Sequence, residues 1–137
     1  ITGSGDAIGG LLGYHNAGTL TASVLGNSYA IGTVTGTGSA NNSLGGIVGN
    51  ASNAVISNIY NAATVTGNQY SDVGGLVGGT YNATTITNSY NTGSVTGREV
   101  TGGLIGRNNG ISISNAYNTG NVYSSGNAAS NYFGGII

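Results

Sequence analysis

Apolar residues in this 137-residue chain come in short blocks separated by Gly, Asn, Ser and Thr, and the blocks recur. Gly-Gly followed by two aliphatics occurs at Gly9-Gly10-Leu11-Leu12, Gly45-Gly46-Ile47-Val48, Gly74-Gly75-Leu76-Val77, Gly102-Gly103-Leu104-Ile105 and Gly134-Gly135-Ile136-Ile137. Successive markers start 36, 29, 28 and 32 residues apart. A second block ending in tyrosine follows each of the first four markers, running from Leu25 to Tyr29, Ile56 to Tyr60, Ile86 to Tyr90 and Ile113 to Tyr117. A third is centred on Val34, Val65, Val95 and Val122, always five residues after the tyrosine. No stretch sustains a 3.6-residue apolar period. Each block is short, aliphatic, β-branched or aromatic, and bounded by Gly or Asn, which predicts a strand.

Equivalent strands at near-constant spacing predict a right-handed parallel β-helix, a β-solenoid with about four coils, a partial fifth and three short strands per coil. It forms a single repeat domain over residues 1–137, in which the variable stretches between a valine block and the next Gly-Gly are loops. Strand alternation sends Val34, Val65, Val95 and Val122 inward and Thr33, Thr35, Thr64, Thr66 and Thr96 outward. Ile56, Ile86 and Ile113 are expected in the core. Asn58, Asn88 and Asn115, two residues later, are expected on the same side as an internal amide ladder. Tyr60, Tyr90 and Tyr117 should stack likewise, with Tyr29 as a fourth member. The Gly pair bends the chain and is expected to leave the second aliphatic row, Leu12, Val48, Val77 and Ile105, partly on the surface.

Composition changes this picture only in what it excludes. Gly, Asn, Thr and Ser number 28, 19, 16 and 15, a mixture that suggests disorder until its periodicity is seen. Charged residues are 4% of the chain, with a net charge of -1, so no basic stripe neutralises phosphates and nucleic acid is not an expected partner. No apolar run approaches the ~20 residues that span a bilayer, so membrane insertion is not expected. Absence of Cys excludes disulfides and thiolate metal sites. Ile1 is not an initiator Met and no basic-then-apolar leader precedes it, so the chain reads as a piece of a longer one, with any export signal outside it.

Gly74 to Gly78 and Ile86 to Gly97 read Gly-Gly-Leu-Val-Gly and Ile-Thr-Asn-Ser-Tyr-Asn-Thr-Gly-Ser-Val-Thr-Gly. This pattern resembles the GLUG repeat of bacterial surface and secreted proteins, which accompanies filamentous-haemagglutinin-like adhesins and IgA-specific metalloendopeptidases. The resemblance covers essentially the whole chain in four copies. It implies an exported, cell-surface β-solenoid and specifies no ligand. The protease branch needs a zinc-binding His-Glu-x-x-His segment, which this sequence lacks.

Catalytic chemistry has little to build on. Asp6, Asp72 and Glu99 fall in different copies, giving no carboxylate pair on adjacent coils, and with Arg98 and Arg107 they read as solvated loop residues or weak surface pairs. His15 has no second His or Cys to join in a metal site and reads as a loop imidazole. The repeated Asp of calcium-binding solenoids is missing. No enzyme activity and no cofactor are expected. The outward Thr ranks are similar to those of Thr-x-Thr ice-binding solenoids, although Asn121 and Tyr123 break them in the fourth copy. Tyr and Asn on strand faces suit glycan binding, and Asn41, Asn50 and Asn82 begin glycosylation-type triplets. Gly134, Gly135, Ile136 and Ile137 supply the first strand of a coil that another unit could complete, so the chain itself is the first expected partner, by head-to-tail stacking or further repeats, and a host or surface glycan the second. The expected role is a structural segment of an extracellular adhesin or fibre.

Overall fold

The computed structural model describes residues 1–16, 23–26, 28–38, 42–67, 72–126 and 132–136. Among these there is no helix, and twenty short strands follow one another. They are β1 (Thr2–Gly3), β2 (Ala7–Gly9), β3 (Leu12–Asn16), β4 (Ser23–Gly26), β5 (Tyr29–Ala30), β6 (Thr33–Gly36), β7 (Ser43–Gly45), β8 (Val48–Ser52), β9 (Ala54–Ser57) and β10 (Tyr60–Asn61). Then come β11 (Thr64–Gly67), β12 (Asp72–Gly74), β13 (Val77–Tyr81), β14 (Thr85–Asn91), β15 (Val95–Gly97), β16 (Val100–Gly102), β17 (Ile105–Asn108), β18 (Ser112–Asn118), β19 (Val122–Ser124) and β20 (Tyr132–Gly134).

Each strand pairs in parallel with its equivalent one repeat away, so the chain is a β-solenoid of about four turns. One turn visits four sheets. Sheet I stacks β2, β7, β12, β16 and β20; sheet II stacks β3, β8, β13 and β17; sheet III holds β4 with β5, β9 with β10, β14 and β18; sheet IV stacks β1, β6, β11, β15 and β19. Coils 1 to 4 are residues 7–36, 43–67, 72–97 and 100–124.

Each coil visits four sheets where three strands were expected, because Gly-Gly marks a corner between two strands and not one strand. The first Gly ends a sheet I strand, as at Gly45, Gly74 and Gly102, and sheet II begins at the second aliphatic. Sheet I is built from Ser43-Leu44, Asp72-Val73 and Val100-Thr101, pairs that differ from copy to copy and so carry no visible repeat.

In coils 2 to 4 both aliphatic rows after the corner lie inside, while in coil 1 Leu11 is exposed and Leu12 half-buried. Ile47, Leu76 and Leu104 are fully buried, and so are Val48, Val77 and Ile105, which corrects the expectation that the second row is partly exposed. The corner turns so tightly that Leu76 N and Val77 N both donate to Leu104 O of the next coil, and both side chains are enclosed. Only Gly fits this corner. A Cβ on Gly75 would meet the Gly103 carbonyl oxygen and the Asn91 side-chain amide, and Gly46 and Gly103 stand in the same relation to Asn61 and Asn118. Coils 2 to 4 are thus pinched between their second Gly and an Asn across the interior. Ile56, Ile86, Val65 and Val95 are fully buried and Val34 nearly so, while Ile113 and Val122 of coil 4, with a neighbour on one side only, are half-buried.

Candidate functional site

Three side-chain arrays and one ion pair carry whatever recognition the described surface offers. The first array corrects the expected amide ladder. Asn58, Asn88 and Asn115 are exposed, with φ of 53°, 49° and 49° in the left-handed region that Asn tolerates. One left-handed residue slips the alternation by one position, so Ile59 and Ser89 turn inward and Tyr turns outward. The buried ladder is made instead by the Asn after each Tyr. Asn61 Nδ2 donates to Asn91 Oδ1 at 2.7 Å, and Asn91 Nδ2 donates to Asn118 Oδ1 at 2.8 Å. Each rung also closes a local turn, since Gly93 N donates to Asn91 Oδ1 and Asn91 Nδ2 to Gly93 O. The local signal was the triplet Asn-Thr-Gly, an Asx-turn sequence. In coil 1 the rung position holds Ala30. Among the expected rungs only an exposed contact forms, Asn115 Nδ2 to Asn88 Oδ1 at 3.2 Å.

The second array is the tyrosine ladder on the outer side of sheet III. Tyr29, Tyr60, Tyr90 and Tyr117 stack with centroid separations of 5.0, 5.1 and 5.0 Å and interplanar angles of 6°, 6° and 3°. The two end rings are about half exposed, at 54% and 51%. Ring faces are covered by neighbouring rings, so a ligand meets mainly edges and hydroxyls. Parallel planes at this spacing continue the strand repeat of the sheet beneath.

The third array lies on sheet IV. Thr2, Thr35, Thr66 and Thr96 stand in register in one outward rank that ends at Tyr123. Thr33 and Thr64 form the parallel rank, which Ser94 and Asn121 continue. Thr2 is a fourth member that the three-copy reading missed, because no tyrosine block precedes it.

Asp72 corrects the expectation that the charged residues are solvated loop residues or weak surface pairs. It sits in β12 at 5% exposure, and Arg107 Nε of the next coil donates to both its carboxylate oxygens at 2.9 Å. Burial pushes its carboxyl above the ordinary aspartate range, with the Arg107 bond pulling the other way. Arg107 remains about half exposed beside a shallow depression of about 440 Å³ that it shares with Val100, Gly106, Asn108 and Tyr132. His15 is likewise no loop residue; it lies in β3, and its Nε2 is buried with no partner among the described residues. Asp6 is exposed and Glu99 is half-buried. No group of three or more His, Cys, Asp or Glu able to hold a metal occurs among the described residues.

Gly134, Gly135 and Ile136 cap coil 4 along sheet I, where Leu104 N and Ile105 N donate to Ile136 O. Ile137, Tyr70 and Asn41 lie outside the described residues.

The family model described as the GLUG motif matches residues 69–96 and 97–123. These two matches coincide with coils 3 and 4, so the chain contains a GLUG-motif repeat region, each motif winding one coil. No curated protein and no solved structure matches the chain.

Proposed function

We propose that this β-solenoid repeat module is a structural, non-catalytic segment of an exported bacterial adhesin or extracellular fibre, lengthened by laying coil on coil. The observation that carries the reading is that core, amide and tyrosine columns run in register through successive coils, so that adding a coil extends every column at once. Four coils give a rod roughly 20 Å tall, and length is gained by repetition without a new kind of contact. Low charge supports the same reading, since a repeated charge would repel its own copy ~4.8 Å away while Asn, Thr and Tyr attract theirs. Electron microscopy and light scattering at micromolar concentration test whether units join end to end. Filaments support joining, and a strictly monomeric species removes joining between chains. Protease shaving of intact cells tests the location, and a protected segment sinks the cell-surface reading.

A second reading uses sheet IV as a binding face for ice. The in-register rank of Thr2, Thr35, Thr66 and Thr96 favours it, because hydroxyls and methyls repeat there on a regular spacing. Thermal hysteresis that survives replacement of Thr35, Thr66 and Thr96 by bulky residues excludes that face. Glycan binding draws less support from the tyrosine ladder, whose faces are occupied by one another, and silence on a glycan array counts against it.

A further inference from the structure

Tyrosine is the most easily oxidised side chain in this protein, because the sequence holds no Cys, Met or Trp. Four of the nine tyrosines stand in one column. Tyr29, Tyr60, Tyr90 and Tyr117 occupy the same register position on coils 1 to 4, and each ring lies 5.0 or 5.1 Å from the next at an interplanar angle of 6° or less. Among the described residues no other pair of tyrosine rings stacks. The register sets like against like, so each ring carbon beside a phenol oxygen faces its own equivalent on the neighbouring coil at the strand spacing of ~4.8 Å.

The inner pair, Tyr60 and Tyr90, has a coil on both sides and owes its spacing to the pairing of β10 with β14 beneath it. Both residues are half-buried on the outer side of sheet III, with ring edges and hydroxyls toward solvent. Tilting two such rings together displaces water and no core side chain.

We propose that this column is a site of oxidative cross-linking, at which a one-electron oxidant of the peroxidase and hydrogen peroxide class joins tyrosines of adjacent coils as dityrosine. Each of two neighbouring phenols gives up one electron and its hydroxyl proton, leaving a phenoxyl radical with spin density on the carbons beside the oxygen. The two radicals pair to form one carbon-carbon bond. Each bonded carbon then passes its hydrogen, through water, to its own phenol oxygen, which restores both aromatic rings. Two electrons and two protons leave in all, and they reduce one hydrogen peroxide to two waters. Between Tyr60 and Tyr90 the bond closes a loop of about 30 residues and restrains the unfolded chain as a disulfide does, in a sequence that has no Cys to make one. Groups held side by side couple far faster than dilute ones, so the stack itself favours a partner within the chain over one in another chain. Coupling of this kind needs the coil register alone and takes place whether or not units join end to end.

The test is to treat the full chain at micromolar concentration with peroxidase and limiting hydrogen peroxide, and to follow dityrosine fluorescence, intact mass and cross-linked peptides. Expected is a monomer lighter by the two hydrogens of each bond, at a yield independent of protein concentration, with Tyr60 joined to Tyr90 or either of them to its other ladder neighbour. Tyr60→Phe combined with Tyr90→Phe keeps the rings, removes the inner phenols and should lower the intramolecular yield about ten-fold. Replacing Tyr14, Tyr70, Tyr81, Tyr123 and Tyr132 by Phe should leave that yield within about two-fold of the parent. A parallel reaction on free N-acetyltyrosine amide shows that the oxidant is active. Dityrosine found only between chains, mapped to the five tyrosines outside the column, or undiminished by the paired Phe substitution overturns the site. So does an absence of dityrosine from the folded chain under conditions that couple the free amide.

Discussion

Asn88 and Asn91 belong to the same strand and repeat in the same coils, yet one is a solvent-facing hinge and the other a buried strut. Asn88 is there because coils 2 to 4 each place a left-handed residue at that point, with φ of 49° at Asn88, and Asn occupies the left-handed region at lower cost than other side chains. Asn91 is there because four hydrogen bonds meet on one amide in a fully buried place. Substitution separates the roles. Asn91→Ala leaves the Asn61 amide and the Gly93 N–H without acceptors and is expected to cost about 3 kcal/mol. Asn88→Gly is expected to stay within about 0.5 kcal/mol of the parent, and Asn88→Val to lose about 1–2 kcal/mol. Urea titration of the three variants decides, and equal losses for Asn91→Ala and Asn88→Gly would refute the assignment of the ladder. Asp72 gives a second prediction at this scale. Burial raises its folded-state pKa, so the folded chain holds the proton more tightly than the unfolded chain. Stability is then greatest below the ordinary aspartate value and falls as pH rises through the raised one. Asp72→Asn should flatten that slope in melting temperature against pH, and an unchanged slope would assign it to other groups.

At the scale of elements, the corner explains why the repeat could be read from the sequence and where the reading failed. The Gly-Gly pairs, the valine block and Ile56 and Ile86 are legible because each obeys one rule at near-constant spacing, and the parallel stack follows from that spacing. Sheet I carries no visible repeat because Leu44, Val73 and Thr101 share a buried position without sharing a residue type. Period-2 alternation points to the wrong asparagine for the amide ladder, because a left-handed residue at Asn58, Asn88 and Asn115 shifts the phase. Asp72 was misplaced for a related reason, since a lone charge in an uncounted strand looks like a loop residue. The corner itself is testable. Gly75→Ala puts a methyl against the Gly103 carbonyl and the Asn91 amide and should destabilise by about 3 kcal/mol, whereas Gly126→Ala, with open space around it, should change stability by less than about 0.5 kcal/mol. Similar midpoints for the two in denaturant would mean that the corner relaxes and that coils are not pinched there.

Across the whole molecule, contacts join residues about one repeat apart, so each coil is held by its two neighbours and by little else. Coils 2 and 3 have a coil on each side, and their apolar side chains Ile56, Val65, Val77 and Ile86 are fully buried. Coil 4 has one, and Ile113 and Val122 are only half-buried; in coil 1, Leu11 and Tyr14 are exposed. A stack of this kind is quasi-one-dimensional, and its opening free energy is set by the number of intact interfaces between a residue and the nearer end. Native-state hydrogen exchange should therefore show a gradient and not a single cooperative value. Amides of β8, β13 and β14, in the inner coils, are expected to exchange slowest, and those of β3, β17 and β19, in the outer coils, fastest. Asn61→Ala should steepen the gradient on the N-terminal side while leaving β18 and β19 near their original rates, because the broken rung lies two coils below them. Uniform protection across all four coils would instead mean that the interior columns couple the coils into one unit, and that the ladders transmit stability beyond nearest neighbours.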